Sequence, residues 1–329
     1  MKIPPHFPLS PGAQAYGLSW RLLGEGDSAT VAGVVSACEE ADDPAYRTSV
    51  AETALLFHPD RAWIALGGFD EDANLCAFGH VALRGSDPVE ALCTGGVVPE
   101  WRERGIGLAN LRWQVGTARK LLEAREPGQP HRIAVHVDDN HSALAHHLLG
   151  LGYREGKRYQ EWRFDLSQSI PTMGLSQYLS VRPWSAELDD LVRLAYNDLA
   201  GSVPGSNVVT PAEWEELKAD FDPTWSFIAL DRSTDRAKVA GFLFASKYEQ
   251  DWEALGWREG YIDFFAVLAP WRGSGIGLAM IAAALRRFRQ DGMEMAALEL
   301  GADSVRMAGA LEDMGFQITT SSALYVMDL

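Results

Sequence analysis

The chain has 329 residues, 47% of them hydrophobic and 22% charged, an ordinary globular composition with more length than one domain needs. A formal net charge of −16 argues against nucleic-acid binding, which rests on Lys and Arg neutralising phosphates, and fits either solubility or attraction of cationic partners such as amines. Cys38, Cys76 and Cys93 are too scattered for a disulfide framework or a zinc site, no apolar run approaches the roughly 20 residues of a membrane span, and Met1 to Ser19 lacks the features of a secretory signal, so the cytoplasm is the expected location.

Residues 1–16 are Pro-rich and read as an extended arm. Leu18 to Leu23 then reads as a strand, and Ser28 to Glu40 has helical spacing, with Asp27 or Ser28 as its cap. Arg61 to Leu66 and Leu75 to Leu83 read as a hairpin, and Glu90 to Val98 as a further strand. The helix Leu108 to Glu126 follows and ends at Pro127-Gly128; strand Arg132 to Val137, helix His141 to Leu151 and strand Tyr159 to Leu166 come next. Ser167 to Gln177 is short and polar, with Pro171 and Gly174, and reads as a linker. The order then repeats: strand Leu179 to Pro183, helices Glu187 to Leu199 and Glu213 to Asp220, strands Trp225 to Leu230, Val239 to Ser246 and Tyr261 to Leu268. Helix Leu278 to Gln290, strand Met295 to Leu300, helix Ser304 to Met314 and strand Ser322 to Met327 complete it. Matches in order at this many elements predict an internal duplication.

The strongest local signal is a glycine-rich turn present twice. Arg102-Glu103-Arg104-Gly105-Ile106-Gly107 and Arg272-Gly273-Ser274-Gly275-Ile276-Gly277 each lie between a strand and a helix, and each follows a Pro and a Trp. Such a turn offers unpaired N–H groups and the positive end of the helix dipole to a phosphate. A dinucleotide fingerprint should follow the first strand of its domain, whereas these turns follow the fourth; the Gly-Lys-Ser/Thr of a Walker A loop is absent.

Both turns carry Arg-x-x-Gly-x-Gly after a fourth strand, and in this the chain resembles the GNAT superfamily of acyl-CoA N-acyltransferases. The resemblance implies an α/β protein of two tandem GNAT domains, each a mixed, mostly antiparallel twisted sheet flanked by helices, at 1–168 and 178–329 with a linker at 169–177. It implies acetyl-CoA, or another acyl-CoA, as co-substrate. The pyrophosphate would sit on N–H groups of Arg272, Gly273, Ser274, Gly275, Ile276 and Gly277, and the pantetheine arm would pair with main-chain groups of Phe265, Ala266 and Val267. The corresponding groups of the first half are Gly95, Gly96 and Val97 with Arg102, Glu103, Arg104, Gly105, Ile106 and Gly107.

The family often uses a carboxylate at the start of the fourth strand to take the proton of the acceptor amine. Asp263 holds that place in the second half, with Glu259 as a rival, while the first half has Cys93 or Thr94, and Glu90 at the strand's outer end. The tyrosine that commonly protonates the leaving thiolate is replaced by Leu311 and Leu148, so Tyr325 on the last strand, or water, is the expected substitute. His131, His136, His141, His146 and His147 lack the spacing of a helical metal pair, and no metal is expected. Trp101 and Trp271 share a place before the turns. Trp252 and Trp257 lie in a loop that either lines an acceptor pocket or covers the sheet. The resulting expectation is an N-acetyltransferase, monomeric or homodimeric, acting by direct transfer on the primary amine of a small molecule, with the second half catalytic. Its rival is a non-catalytic acyl-CoA-binding or scaffolding protein.

Overall fold

The computed structural model describes residues 9–44, 46–59, 62–85, 89–124, 130–200, 208–218 and 221–329. The start of the expected arm, the helix stop at Pro127-Gly128, and Arg61 and Asp220 lie outside the described residues. Chain contacts divide the protein into two units: Met1–Arg158 with Ser322–Leu329, and Tyr159–Ser321.

In the first unit the order is β1 (Gln14–Ala15), β2 (Leu18–Leu23), α1 (Ser28–Asp42), α2 (Val50–Leu55), β3 (Trp63–Phe69), β4 (Leu75–Arg84), β5 (Val89–Val97), α3 (Ile106–Glu123), β6 (His131–Asp138), α4 (Ser142–Gly150) and the beginning of β7 (Arg154–Asp165). Strands β1 to β5 pair antiparallel in sequence order, and β5 pairs parallel with β6. The second unit takes the rest of β7, then β8 (Leu179–Pro183), α5 (Asp189–Ala200), α6 (Pro211–Leu217), β9 (Phe227–Asp231), β10 (Lys238–Ser246), α7 (Glu249–Leu255), β11 (Glu259–Val267), α8 (Ile276–Gln290), β12 (Met295–Gly301), α9 (Val305–Met314) and the start of β13 (Gln317–Asp328). Here β8 to β11 pair antiparallel and β11 pairs parallel with β12. The repeated order read from the sequence is therefore present in each unit as a mixed run of strands, with β1 added in the first and α7 in the second.

The units exchange their closing strands. Ser322–Asp328 of β13 pairs antiparallel with Arg132–Asp138 of β6 in the first unit, while Tyr159–Asp165 of β7 pairs antiparallel with Met295–Gly301 of β12 in the second. This corrects the boundaries at 168 and 178. Alternation identifies a half-buried strand but does not say which sheet edge it joins. Residues 169–177 belong to the second unit, where Ile170, Met173 and Leu175 pack on its core and the Pro171 carbonyl accepts a hydrogen bond from Arg286 at 2.7 Å.

Each sheet is covered by the helix that follows its glycine turn. Ile276, Met280, Ala284, Leu285 and Phe288 of α8 are buried, at the spacing of one broad helical face. A Cβ at Gly260 would stand 2.6 Å from the Phe288 ring, so this glycine is what lets β11 approach the helix. The first core is built around Trp20 and Trp113 and includes Tyr325 and Met327 from the exchanged strand. Among the described residues no helix is long and apolar enough to cross a membrane.

Candidate active site

The parallel pair in each unit holds for only four residue pairs. In the second unit β11 and β12 are in register from Glu259↔Met295 to Ile262↔Leu298 and then part, so Asp263–Val267 keep β10 alone as a strand partner. In the first, β5 and β6 part after Leu92↔Ala134, ahead of Cys93–Val97. Both forks open toward the glycine turns, leaving main-chain groups without a strand partner beside a helix N-terminus. Groups of that kind suit an extended amide-bearing ligand ending in phosphate.

Asp263 is the first residue beyond the fork. It is also the extra residue of a β-bulge: Phe244 pairs with Phe264 and Ala245 with Ile262, leaving Asp263 out of the ladder. The Ser246 hydroxyl donates to its Oδ2 at 2.6 Å and the Tyr248 hydroxyl to its Oδ1 at 2.6 Å, while the residue itself stays exposed. Two short O–H···O⁻ bonds fix the carboxylate and leave lone pairs for a further donor. At the matching place in the first unit the β4–β5 ladder runs unbroken from Ala77↔Val97 to Arg84↔Glu90, and Cys93 is buried, which pushes its thiol well above the usual range. Glu90 is held between Arg84 and Arg132. Glu259, the rival carboxylate, is 6% exposed and accepts from Arg163 Nε at 2.8 Å and Trp257 Nε1 at 3.2 Å, which commits it to a buried ion pair.

That ion pair belongs to a larger cluster which sequence reasoning missed. Arg163 reaches Glu259, Thr319 Oγ1 at 2.7 Å and Glu161 at 3.4 Å, and the Tyr261 hydroxyl donates to Glu161 at 3.1 Å. Burial pushes the Glu161 carboxyl up to about 7; Arg163 pulls it down, while Glu259 and Glu299 push it further up. Glu161 and Arg163 arrive on the exchanged strand β7, so no local pattern in residues 178–329 announces them. The Tyr248 and Tyr261 rings meet edge to face with centroids 5.6 Å apart. Trp252 Nε1 donates to the Glu259 carbonyl at 3.1 Å and its ring packs on the core, so this tryptophan covers the sheet.

The glycine turns differ in ways their shared motif hides. Gly273 and Gly275 have φ of +81° and +84°, and α8 begins with no side chain capping its N–H groups. Arg272 is exposed and has no ion pair among the described residues. A Cβ at Gly273 would lie 3.7 Å from Arg306 Nη2, so a second cation on α9 stands beside the turn; its place two elements downstream gave no sequence signal. In the first turn Glu103 takes the left-handed conformation at φ +62°, a strained state for a residue with a Cβ, and brings a carboxylate. Arg102 is engaged there, donating from Nη1 and Nη2 to Asp42 at 2.6 and 2.8 Å and from Nε to the Val97 carbonyl at 2.9 Å. The main chain of Asp42 accepts from Asn140 Nδ2 at 3.2 Å, so the end of α1 bridges both prongs of the first fork. Trp101 and Trp271 each end a 3-10 turn leading into these loops.

Tyr325 and Asp263 belong to different units. Tyr325 lies in the first unit, 8% exposed, its hydroxyl 3.5 Å from Glu155, because β13 crosses to β6. His136 Nε2 lies 3.0 Å from the Ser322 hydroxyl, and no three His, Cys, Asp or Glu side chains among the described residues are grouped to hold a metal.

Residues 192–316 match the Acetyltransferase (GNAT) family. Solved structures of the same fold include a GCN5-related N-acetyltransferase from Sphaerobacter thermophilus (TM-score 0.74, 18% identity, covering 96% of this chain and 97% of that one). Another is a tandem GNAT protein from the clavulanic acid biosynthesis pathway (TM-score 0.70, 16% identity, 94% and 98%). In sequence the chain is 24% identical to the mycothiol acetyltransferase of Paenarthrobacter aurescens (strain TC1), over 64% of this chain and 65% of that protein's length. The family match lies within the second unit, and the fold is that of tandem GNAT proteins.

Proposed function

We propose that the second unit transfers an acetyl group from acetyl-CoA directly to the primary amine of a small molecule, with Asp263 as the base. The observation that carries this is the placement of Asp263, an exposed, bulged carboxylate held by two hydroxyls at the point where β11 leaves β12. An amine of pKa about 10.4 is only about 0.1% neutral near pH 7.4, so a positioned acceptor for its proton raises the reactive fraction where it is needed. The pyrophosphate would rest on Arg272–Gly277 with Arg306 beside it, the pantetheine along Phe265–Val267, and a main-chain N–H of that stretch would polarise the thioester carbonyl. The first unit would bind or shape substrate without turnover. Supporting this are the buried Cys93 thiol at the base position, the unbulged β5, the carboxylate of Glu103 in the turn and the engaged Arg102.

Thiol release from acetyl-CoA across a panel of small amines tests the reading. Turnover is expected, and Asp263→Asn should lower kcat by about 10²–10⁴-fold with little change in acetyl-CoA affinity. Acetyl-CoA binding without thiol release on any amine would instead mark a non-catalytic binding protein.

A further inference from the structure

The bulge that lifts Asp263 out of the ladder also changes which way the next residue faces. Side chains of a regular strand alternate between the two faces of a sheet. On β11, Ile262 packs in the core under α8, and Phe265 and Val267 pack against the same core. Phe264 instead meets the rings of Phe242 and Phe244, with centroids 5.8 and 6.1 Å apart, and those two belong to the separate core shared with Val192 and Ala195 of α5. Asp263 faces the same way. Its partner Ser246 continues the alternate positions of Phe242 and Phe244 along β10, whereas Leu243 and Ala245 turn to α8. Two consecutive residues of one strand thus share a face, which a bulge permits and a regular strand does not. The unbulged β5 of the first unit has no such pair.

An exposed phenylalanine alone says little. This one is 40% exposed, stands one residue from the carboxylate on the same face, and is held from a third side by Tyr196 of α5 at a centroid distance of 6.0 Å. A fixed carboxylate with a fixed aromatic ring beside it complements an amine that carries its own ring. We propose that Phe264, backed by Tyr196, receives an aromatic ring of the acceptor, so that the substrate is a primary amine with that ring a few bonds from its nitrogen. Consecutive Cα atoms lie about 3.8 Å apart, so side chains leaving them on one side stand within the span of a two-carbon linker. The pantetheine arm does not compete for this surface, because main-chain groups lie in the plane of the sheet and the Phe264 ring stands out of it.

The inference rests on Asp263 meeting the reacting amine, so its test separates the two readings. Thiol release from acetyl-CoA is measured with ethylamine, 2-phenylethylamine and 2-cyclohexylethylamine, and kcat/KM is expressed on the neutral amine so that differences in basicity cancel. The phenyl amine should exceed ethylamine by about 10- to 100-fold, the worth of burying one such side chain. The cyclohexyl amine, equally apolar but not flat, should fall behind the phenyl one. Phe264→Ala should bring the phenyl-to-ethyl ratio to within about threefold of unity, and Phe264→Leu should lower it as well, while Phe264→Tyr keeps it. A general loss of folded or active protein lowers both amines together and leaves the ratio where it was. Turnover with no preference for the ring, a cyclohexyl amine as good as the phenyl one, or a ratio unmoved in Phe264→Ala overturns the inference and leaves the acyltransferase reading standing. Absence of thiol release on every amine overturns both.

Discussion

Replacing Gly273 by Glu would give the second turn the residue that Glu103 supplies in the first. A Cβ at position 273 meets nothing nearer than Arg306 Nη2 at 3.7 Å, so the steric cost comes from the backbone, which holds φ at +81°. A side chain in that conformation costs about 1–3 kcal/mol, or some 2–4 °C of Tm per kcal/mol for a unit of this size. Gly273→Ala carries the same strain without charge, so the difference between the two variants isolates the carboxylate. Two unit charges about 4 Å apart repel by about 1 kcal/mol in water and about 4 kcal/mol at an effective dielectric constant near 20. A glutamate that turned instead to Arg306 would remove a cation from the turn, with the same sign. Isothermal titration with acetyl-CoA at low salt should therefore show Gly273→Glu at least about 5-fold weaker than Gly273→Ala, the gap narrowing as salt is raised. Equal affinities for the two variants would refute the placement of the pyrophosphate on this turn.

Two further predictions concern stability. Glu161, buried and raised to about 7, binds its proton more tightly in the folded chain than in the unfolded, so its contribution is complete below about pH 4.5 and is lost as pH rises through 7. Glu161→Gln should raise Tm relative to the parent at pH 8, by the equivalent of about 3 kcal/mol at most, with the advantage gone at pH 4.5; a constant difference across that range would refute the assignment. His80 behaves oppositely: 1% exposed, its Nε2 2.7 Å from the Leu56 carbonyl, it is pushed down to about 4 by burial. The stability it contributes is present above about pH 6.5 and lost as pH falls through 4, so His80→Phe, which copies Phe244 at the matching register, should flatten the decline of Tm between those values.

The features legible in the sequence were those with local chemistry. Gly273 and Gly275 stand out because a left-handed turn demands residues without a Cβ, and Asp263 because the resemblance puts a carboxylate at the start of the fourth strand. The bulge that lifts Asp263 from the ladder has no compositional mark, since one extra residue in a strand of Tyr, Ile and Phe leaves the pattern intact. Nothing local marks Tyr248, because only the fold brings its hydroxyl to the carboxylate. Arg102 and Arg272 are identical in the motif, and only the arrival of Asp42 from α1 separates an engaged guanidinium from an exposed one. Tyr325 went astray for the reason the domain boundary did: the edge a strand joins depends on contacts far away in sequence.

The exchange of strands also orders events in time. His136 on β6 and Ser322 on β13 meet across 186 positions of chain, so the edge of the first sheet stays unpaired while most of the second unit is still being made. A polypeptide cut near residue 168 would leave that edge bare and deprive the second sheet of Glu161 and Arg163. Each unit is thus completed by a strand from the other half of the chain, so that neither half of the sequence by itself carries a whole sheet.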